Sequence, residues 1–440
     1  MTALEMTSVG DDARSQDDLY RIAEESLPGA GLGGYSLPEE VRFVIRRGEG
    51  SRVISVEGRS YIDYVGGAGA LILGHAHPAL VAAAQARCAD GLHFFGTLND
   101  LAIELAGELV EAIPCADKVI FATTGSEATF YAMRIARAAK QRNKILKFEG
   151  AYHGNHDYAS VSIMPTQLAN YPYAPSDTGG VPSVVPDTVL VAPYNDLDVV
   201  EAIVREHMDD LAAIIVEPIQ RIISPQPGFL AGLRKICDDN DIVLIFDEVV
   251  TGFRVAYGGA QEYFGVTPDL ASYGKIVGGG GPLSCVGGRK DLIDLCDPKH
   301  KGQANYAYIN GTLHGNPIAA AAALASLQEL KRPGRYDELE AMSNKLLALC
   351  QEVLNRHGLP AIATGQRSLW QILFRTTPPK NQADLFDSDQ AAAKALDLAQ
   401  LRQGIYVLPG VRRFVSMVHS DEDFAETAEA LDAACRDFKR

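Results

Sequence analysis

Asp247 and Lys275 are a carboxylate and an amine placed where an α/β chain presents reactive groups. Ile242–Phe246 is an unbroken apolar run, the pattern of a strand covered by helices on both faces. Asp247 follows where that strand should end, and a carboxylate there is costly to bury without a cationic partner. Lys275 precedes the glycines Gly278 to Gly281, whose backbone a flat ligand can approach closely. An amine and a carboxylate so arranged fit the two poles of pyridoxal phosphate, whose aldehyde takes a lysine and whose ring nitrogen needs an acid. An ordinary α/β core with a surface lysine fits the same residues, so the pair alone leaves both readings open.

Other residues fall at matching places. Thr123-Thr124-Gly125-Ser126-Glu127 lies between a strand and a helix, where free N–H groups and a hydroxyl form a phosphate cradle, or merely cap the helix. Tyr152, after the next strand, can lie over a planar ring or sit in the core. Gln220 ends the strand before that of Asp247, and either donates to a phenolic oxygen or caps a turn. Gly125, Tyr152, Gln220, Asp247 and Lys275 all come just past carboxyl ends of predicted strands, where open α/β sheets bind ligands.

The elements that must hold them alternate. Helix-period and short apolar segments predict helices over 101–113, 126–140, 230–240 and 317–330, and strands over 118–122, 144–148, 211–216 and 242–246. That is a mostly parallel sheet with crossover helices. Before it come a loose polar leader to about Gln16, a short helix over 17–26, an irregular Gly/Pro stretch, meandering strands over 41–65 and a helix over 78–89. His75-Ala76-His77 is a poor metal site, because no cysteine or carboxylate stands close in sequence. Arg332-Pro333-Gly334 breaks the pattern; a helix over 336–356, short strands near 361–374 and 405–417, and a last helix opened by a Ser420-x-x-Asp423 box follow. Residues 1–90, 91–331 and 332–440 are the expected N-terminal segment, large domain and C-terminal small domain.

Composition bounds the function. The 440 residues suffice for a large core, and 47% apolar with 22% charged residues describes a globular chain. A net charge of -16 argues against a broad nucleic-acid surface and against docking on anionic membranes. No run reaches the length of a membrane span, and the acidic N-terminus lacks a signal-peptide pattern. Seven scattered cysteines without Cys-x-x-Cys fit reduced thiols in a cytoplasmic protein.

Asp247-Glu248-Val249-Val250-Thr251-Gly252-Phe253-Arg254 with Gly274-Lys275-Ile276-Val277-Gly278-Gly279-Gly280 resembles the signature of class III pyridoxal-phosphate-dependent aminotransferases. Phe253–Gln261 and Phe264–Leu270 are especially similar to glutamate-1-semialdehyde 2,1-aminomutases and to ω- and β-amino-acid transaminases. The resemblance runs from Tyr61 to Asp423, nearly the whole chain. It implies a type I fold, a mostly parallel seven-stranded α/β domain with helices on both faces plus a small α+β domain from both termini. It also implies a homodimer with shared active sites and small-molecule amine and keto-acid or aldehyde substrates. By the same resemblance Lys275 is the Schiff-base lysine, Asp247 pairs with the pyridine nitrogen, Gly125 and Ser126 bind phosphate, Tyr152 stacks on one ring face and Val249 packs on the other. Thr312 reaches the phosphate of the neighbouring subunit's cofactor, and the His-Ala-His segment is structural. Lys275, displaced by the incoming amine, is then placed to move a proton at the substrate carbon.

The chain departs from the aminomutase pattern in two places. Pro28–Gly34 offers no arginine for a substrate carboxylate, and the loop Pro409-Gly410-Val411-Arg412-Arg413-Phe414 carries two arginines where a glutamate is usual. A guanidinium fork at Arg412 can grip a carboxylate, or the turn can be a solvated basic one. Arg221, where many relatives have glycine, is a second candidate. These differences favour transamination over isomerisation, with an aminomutase or amino-acid racemase as the alternative. A nicotinamide dehydrogenase is disfavoured, since the glycine run lacks Gly-x-Gly-x-x-Gly spacing and follows a lysine.

Overall fold

The computed structural model describes residues 14–438. The expected polar leader lies almost wholly outside them. An antiparallel meander comes first: β1 (Ile45–Glu49), β2 (Arg52–Ser55) and β3 (Ser60–Asp63).

The main sheet is built from β4 (Lys118–Ala122), β5 (Lys144–Phe148), β6 (Val189–Ala192), β7 (Leu211–Val216), β8 (Val243–Asp247), β9 (Leu270–Tyr273) and β10 (Ser284–Gly288). Its seven strands run in the order β4-β10-β9-β8-β7-β5-β6. Only β10 is antiparallel, to both neighbours. Strands β7 and β8 are buried end to end because both faces are covered. Ala213 and Ile215 pack with Ala132 and Ile135 of helix Gly125–Lys140, whereas Ile214 and Val216 pack with Leu233 and Ile236 of helix Phe229–Asp239. Side-chain alternation along one strand thus feeds two hydrophobic layers.

Strands β9 and β10 escape the sequence reading for a physical reason. Polar and glycine residues in Leu-Ala-Ser-Tyr and Ser-Cys-Val-Gly-Gly erase the apolar signal. At Gly288 a side chain would collide with Leu270, its Cβ lying 2.4 Å from Leu270 Cδ2. The pairing of β10 with β9 therefore demands the residue that hides the strand.

The C-terminal part adds β11 (Ile362–Gln366), β12 (Leu369–Leu373), β13 (Ile405–Tyr406) and β14 (Arg413–Phe414). β11, β12 and β14 form their own sheet, while β13 joins β3 in parallel. The early meander and the chain's end are thereby one structure. Asp423 strengthens that union: it closes the expected capping box with Ser420 and accepts from Ser51 and Arg52, at 2.8 and 2.9 Å. His75 belongs to the same region, its Nε2 2.7 Å from Asp63 Oδ2. No helix among the described residues is long and apolar enough to cross a membrane.

Candidate active site

Strands β5, β7, β8 and β9 end side by side, and a cavity of about 160 Å³ opens beyond them. Asp247, Lys275, Tyr152, Val249, Gly125, Ser126 and Arg412 all line it. Seven of the ten residues expected at the site therefore meet in one place.

Asp247 is the last residue of β8 and only 4% exposed. Its Oδ1 accepts from Ser272 Oγ at 3.2 Å and from the Val249 amide at 3.1 Å, and its Oδ2 lies 2.7 Å from His153 Nδ1. With an ionised Asp247, that distance makes Nδ1–H the donor and fixes the ring's tautomer. His153 is fully buried and its Nε2 has no partner among the described residues. The adjacent Glu248 turns away: its carboxylate accepts from Thr251 and from the amides of Ala260 and Gln261, bracing the loop beyond β8. Burial raises that acid to about 7.

Lys275 follows β9 through Gly274 and adopts a left-handed backbone, φ 53°. A side chain at Gly274 would press on Val249, its Cβ 3.2 Å from Val249 Cγ1. A non-glycine residue in that conformation costs on the order of 1 kcal/mol, a cost that clusters at working sites. Burial, and next the nearby Arg412 guanidinium, lower the Lys275 ammonium from its usual 10.5 to about 8. No hydrogen bond or ion pair holds its Nζ among the described residues. The amine is thus available as a nucleophile or proton carrier near neutral pH.

The helix Gly125–Lys140 opens at the cavity under a capping box, in which Glu127 takes the amides of Thr123 and Thr124 and Thr124 Oγ1 takes that of Glu127. Gly125 and Ser126 keep their amides for an anion. Both must be tightly packed from outside. A Cβ on Gly125 would stand 2.7 Å from Val249 Cγ1, and one on Gly154 2.6 Å from Ser126 Cα. Donors at a helix N-terminus, Tyr152 and Val249 lining one cavity, a carboxylate and a lysine together fit a phosphorylated pyridine aldehyde.

Below the site, Lys147 of β5 is fully buried and donates to three backbone carbonyls, those of Ala151, Ala159 and Val161. It ties down the loop that carries Tyr152 and His153. Burial lowers this ammonium to about 7, and three acceptors offset part of that cost.

Three expected residues lie elsewhere. Gln220 is fully buried, and its Nε2 donates to the Glu149 carbonyl at 2.7 Å, so it supports the end of β5 and does not line the cavity. Arg221 stands behind Tyr152, its guanidinium 5.1 Å from the ring centroid, and lines a neighbouring chamber. Thr312 is exposed on the loop before helix Pro317–Leu330, away from this cavity. The two loop arginines also part company. Arg413 is buried against Asp397, Gln400 and the Trp370 ring, a structural role. Arg412 faces the cavity, donates to the Arg221 carbonyl at 2.9 Å and lies 3.8 Å from Glu217 Oε1.

Glu217 and His153 line the site although sequence reasoning passed over them. Glu217 had a signal, a lone carboxylate ending the apolar run Leu-Ala-Ala-Ile-Ile-Val. His153 had none beyond its neighbour Tyr152. We expect His153→Phe to lower kcat about 10–100-fold, the value of one hydrogen bond to a charged group, and to shift the pH profile of the cofactor's absorbance. A profile and kcat equal to wild type would remove His153 from the site.

The model of the family "Aminotransferase class-III" matches residues 35–434. The glutamate-1-semialdehyde 2,1-aminomutase 2 of Brevibacillus brevis is 42% identical over 392 residues, 88% of this chain and 89% of the relative. Among solved structures, an ω-transaminase from Sphaerobacter thermophilus is 34% identical with a TM-score of 0.89, covering 97% of this chain and 98% of its own. A transaminase with pyridoxal phosphate bound is 30% identical with a TM-score of 0.86, covering 96% and 97%. With its sheet order, its cavity and these matches in agreement, this chain belongs to the class III aminotransferases.

Proposed function

We propose that this chain is a pyridoxal-phosphate enzyme that transfers the amino group of a carboxylate-bearing amine to a keto acid or aldehyde. The observation that carries the reading is the meeting of Lys275 and Asp247 in one cavity walled by Tyr152 and Val249. Pyridoxal phosphate supplies an aldehyde that takes up amines and a ring that withdraws electrons from the carbon beside the nitrogen.

The chain's own groups do the rest. The amides of Gly125 and Ser126 hold the phosphate at the helix N-terminus. Tyr152 and Val249 fix the plane of the ring. Asp247, anchored by His153 and Ser272, holds a proton on the ring nitrogen, because an adjacent negative charge favours the charged form. Lys275 would hold the cofactor's aldehyde end, and its amine is placed to move a proton at the substrate carbon beside the nitrogen. Arg412 receives the substrate carboxylate. Glu217 holds the guanidinium loosely, at 3.8 Å, so the fork can still be engaged by another acid.

Thr312 lies on a surface with exposed Leu92, Phe95, Leu98 and Tyr308. Asn316 to the Leu92 carbonyl and Asn99 to the Gly315 carbonyl join the two loops that bear them. An apolar patch of this kind suits a second copy of the chain, which would bring Thr312 to the partner's cofactor.

The similarity to aminomutases supports a second reading, isomerisation of an amino aldehyde within one active site. The two separate on one requirement. If amino-group transfer is the activity, enzyme carrying the amino form of the cofactor turns over only when pyruvate, 2-oxoglutarate or another carbonyl acceptor is added. An aminomutase would convert its substrate without one.

Arg412→Ala has two expected effects. KM rises about 10–100-fold for carboxylated donors and stays unchanged for simple amines, as loss of a charged hydrogen bond predicts. The midpoint for Lys275 deprotonation also moves above about 8, since a neighbouring positive charge is gone. Unchanged KM and midpoint would take Arg412 out of the site.

A further inference from the structure

Past β7 the chain turns back on itself at Gln220–Ile223, where Gln220 and Ile223 exchange both backbone hydrogen bonds, at 2.9 and 2.8 Å. Of the two central residues only Arg221 has a positive φ, 58°, which is the type II′ form. That form favours glycine at its first central position. An arginine there strains the backbone, and such strain persists only where the surroundings hold it.

The Arg221 side chain supplies the hold. Its Nε donates to the Gly150 carbonyl at 3.3 Å, and its guanidinium lies over the Tyr152 ring, 5.1 Å from the centroid. Gly150 and Tyr152 belong to one loop beyond β5, so a single side chain grips that loop twice. Glu217 fixes the backbone of Tyr152 by accepting its amide at 3.1 Å. The ring has no such anchor: Tyr152 is exposed, and no hydrogen bond holds its phenol among the described residues. Tyr152 lines the catalytic cavity and Arg221 does not, so the guanidinium bears on the ring from outside.

We propose that Arg221 is a positioning residue, which fixes the ring of Tyr152 for stacking on the cofactor and touches neither cofactor nor substrate. This replaces the expected carboxylate fork, because its Nε is engaged by a carbonyl and its guanidinium by an aromatic face. The inference rests on pyridoxal phosphate binding in this cavity and is independent of which amine donates.

The test reads cofactor binding. Cofactor-free protein is titrated with pyridoxal phosphate and followed by absorbance and visible circular dichroism. Arg221→Gly should raise the dissociation constant about 3–10-fold, the value of one cation–aromatic contact, and weaken the dichroism of the bound cofactor. Arg221→Lys, which keeps a cation beside the ring, should recover part of both. Glycine suits the turn, and Arg221→Asn, which also accepts a left-handed backbone, serves if the first variant does not fold. In a Tyr152→Ala background the glycine substitution should change the dissociation constant less than about twofold, because the two side chains act as one unit. Unchanged affinity and dichroism in Arg221→Gly, or an equal loss with Tyr152 already removed, overturns the proposal. So does a KM increase confined to carboxylated donors with cofactor binding intact, which would return Arg221 to substrate binding. Coupled cofactor binding without conversion of any amine removes only the transfer reading, whereas wild type that never takes up the cofactor sinks both.

Discussion

Lys275→Ala is expected to abolish the visible absorbance of the amine-linked cofactor and to lower turnover by about 10⁴-fold or more, since one side chain serves as nucleophile and proton carrier. Geometry makes the lysine irreplaceable: its left-handed backbone and the close packing at Gly274 aim one amine at the cavity, and no other lysine among the described residues lines it. A variant with normal turnover would refute the assignment. The same substitution has a stability signature. In the folded, cofactor-free protein the ammonium is lowered from 10.5 to about 8, so the native state binds this proton less readily than the unfolded chain. Wild-type stability therefore falls as pH drops from about 10.5 to 8 and levels off below. The alanine variant lacks that loss, so cofactor-free Lys275→Ala should be the more stable protein at pH 7, by about 1–3 kcal/mol, and not at pH 10.5. Denaturant midpoints at the two pH values measure it.

Asp247→Asn is the second large effect. The amide keeps the volume and one acceptor but loses the charge that holds a proton on the ring nitrogen. We expect kcat to fall about 10²–10³-fold, the cost of removing one preorganised electrostatic partner, with the cofactor still bound through Lys275 and the helix N-terminus. His153 sharpens the comparison. In the wild type its Nδ1–H donates to a carboxylate 2.7 Å away, whereas in the variant it meets either an oxygen or an NH₂. Near-normal kinetics in Asp247→Asn would show that the charge has no part in catalysis.

The sequence by itself determined the frame. Apolar runs bounded by turn residues marked β4, β5 and β7 residue for residue, because fully buried parallel strands tolerate almost nothing else. The positions just past β4, β5 and the apolar run 242–246 then located Gly125, Tyr152 and Asp247, since a parallel sheet brings its carboxyl ends to one edge, while Lys275 stood out by the glycines that follow it. Strand β10 was not legible, hidden by glycines that close packing requires, and helix Leu197–His207 was passed over although Asp196 caps its start.

Tertiary structure alone decided which side chains of a loop face the cavity. Arg412 and Arg413 are chemically identical neighbours, yet one meets the site and the other is buried on Asp397 and Trp370. Gln220, equally well placed along the chain, turns to the Glu149 carbonyl, while Glu217 and His153 turn inward. Period and propensity report how a residue sits within its own element. The direction of a side chain past a strand's end depends on partners far away in sequence, Glu149 for Gln220, Asp247 for His153, Asp397 for Arg413, and these exist only once the sheet and the C-terminal sheet have come together.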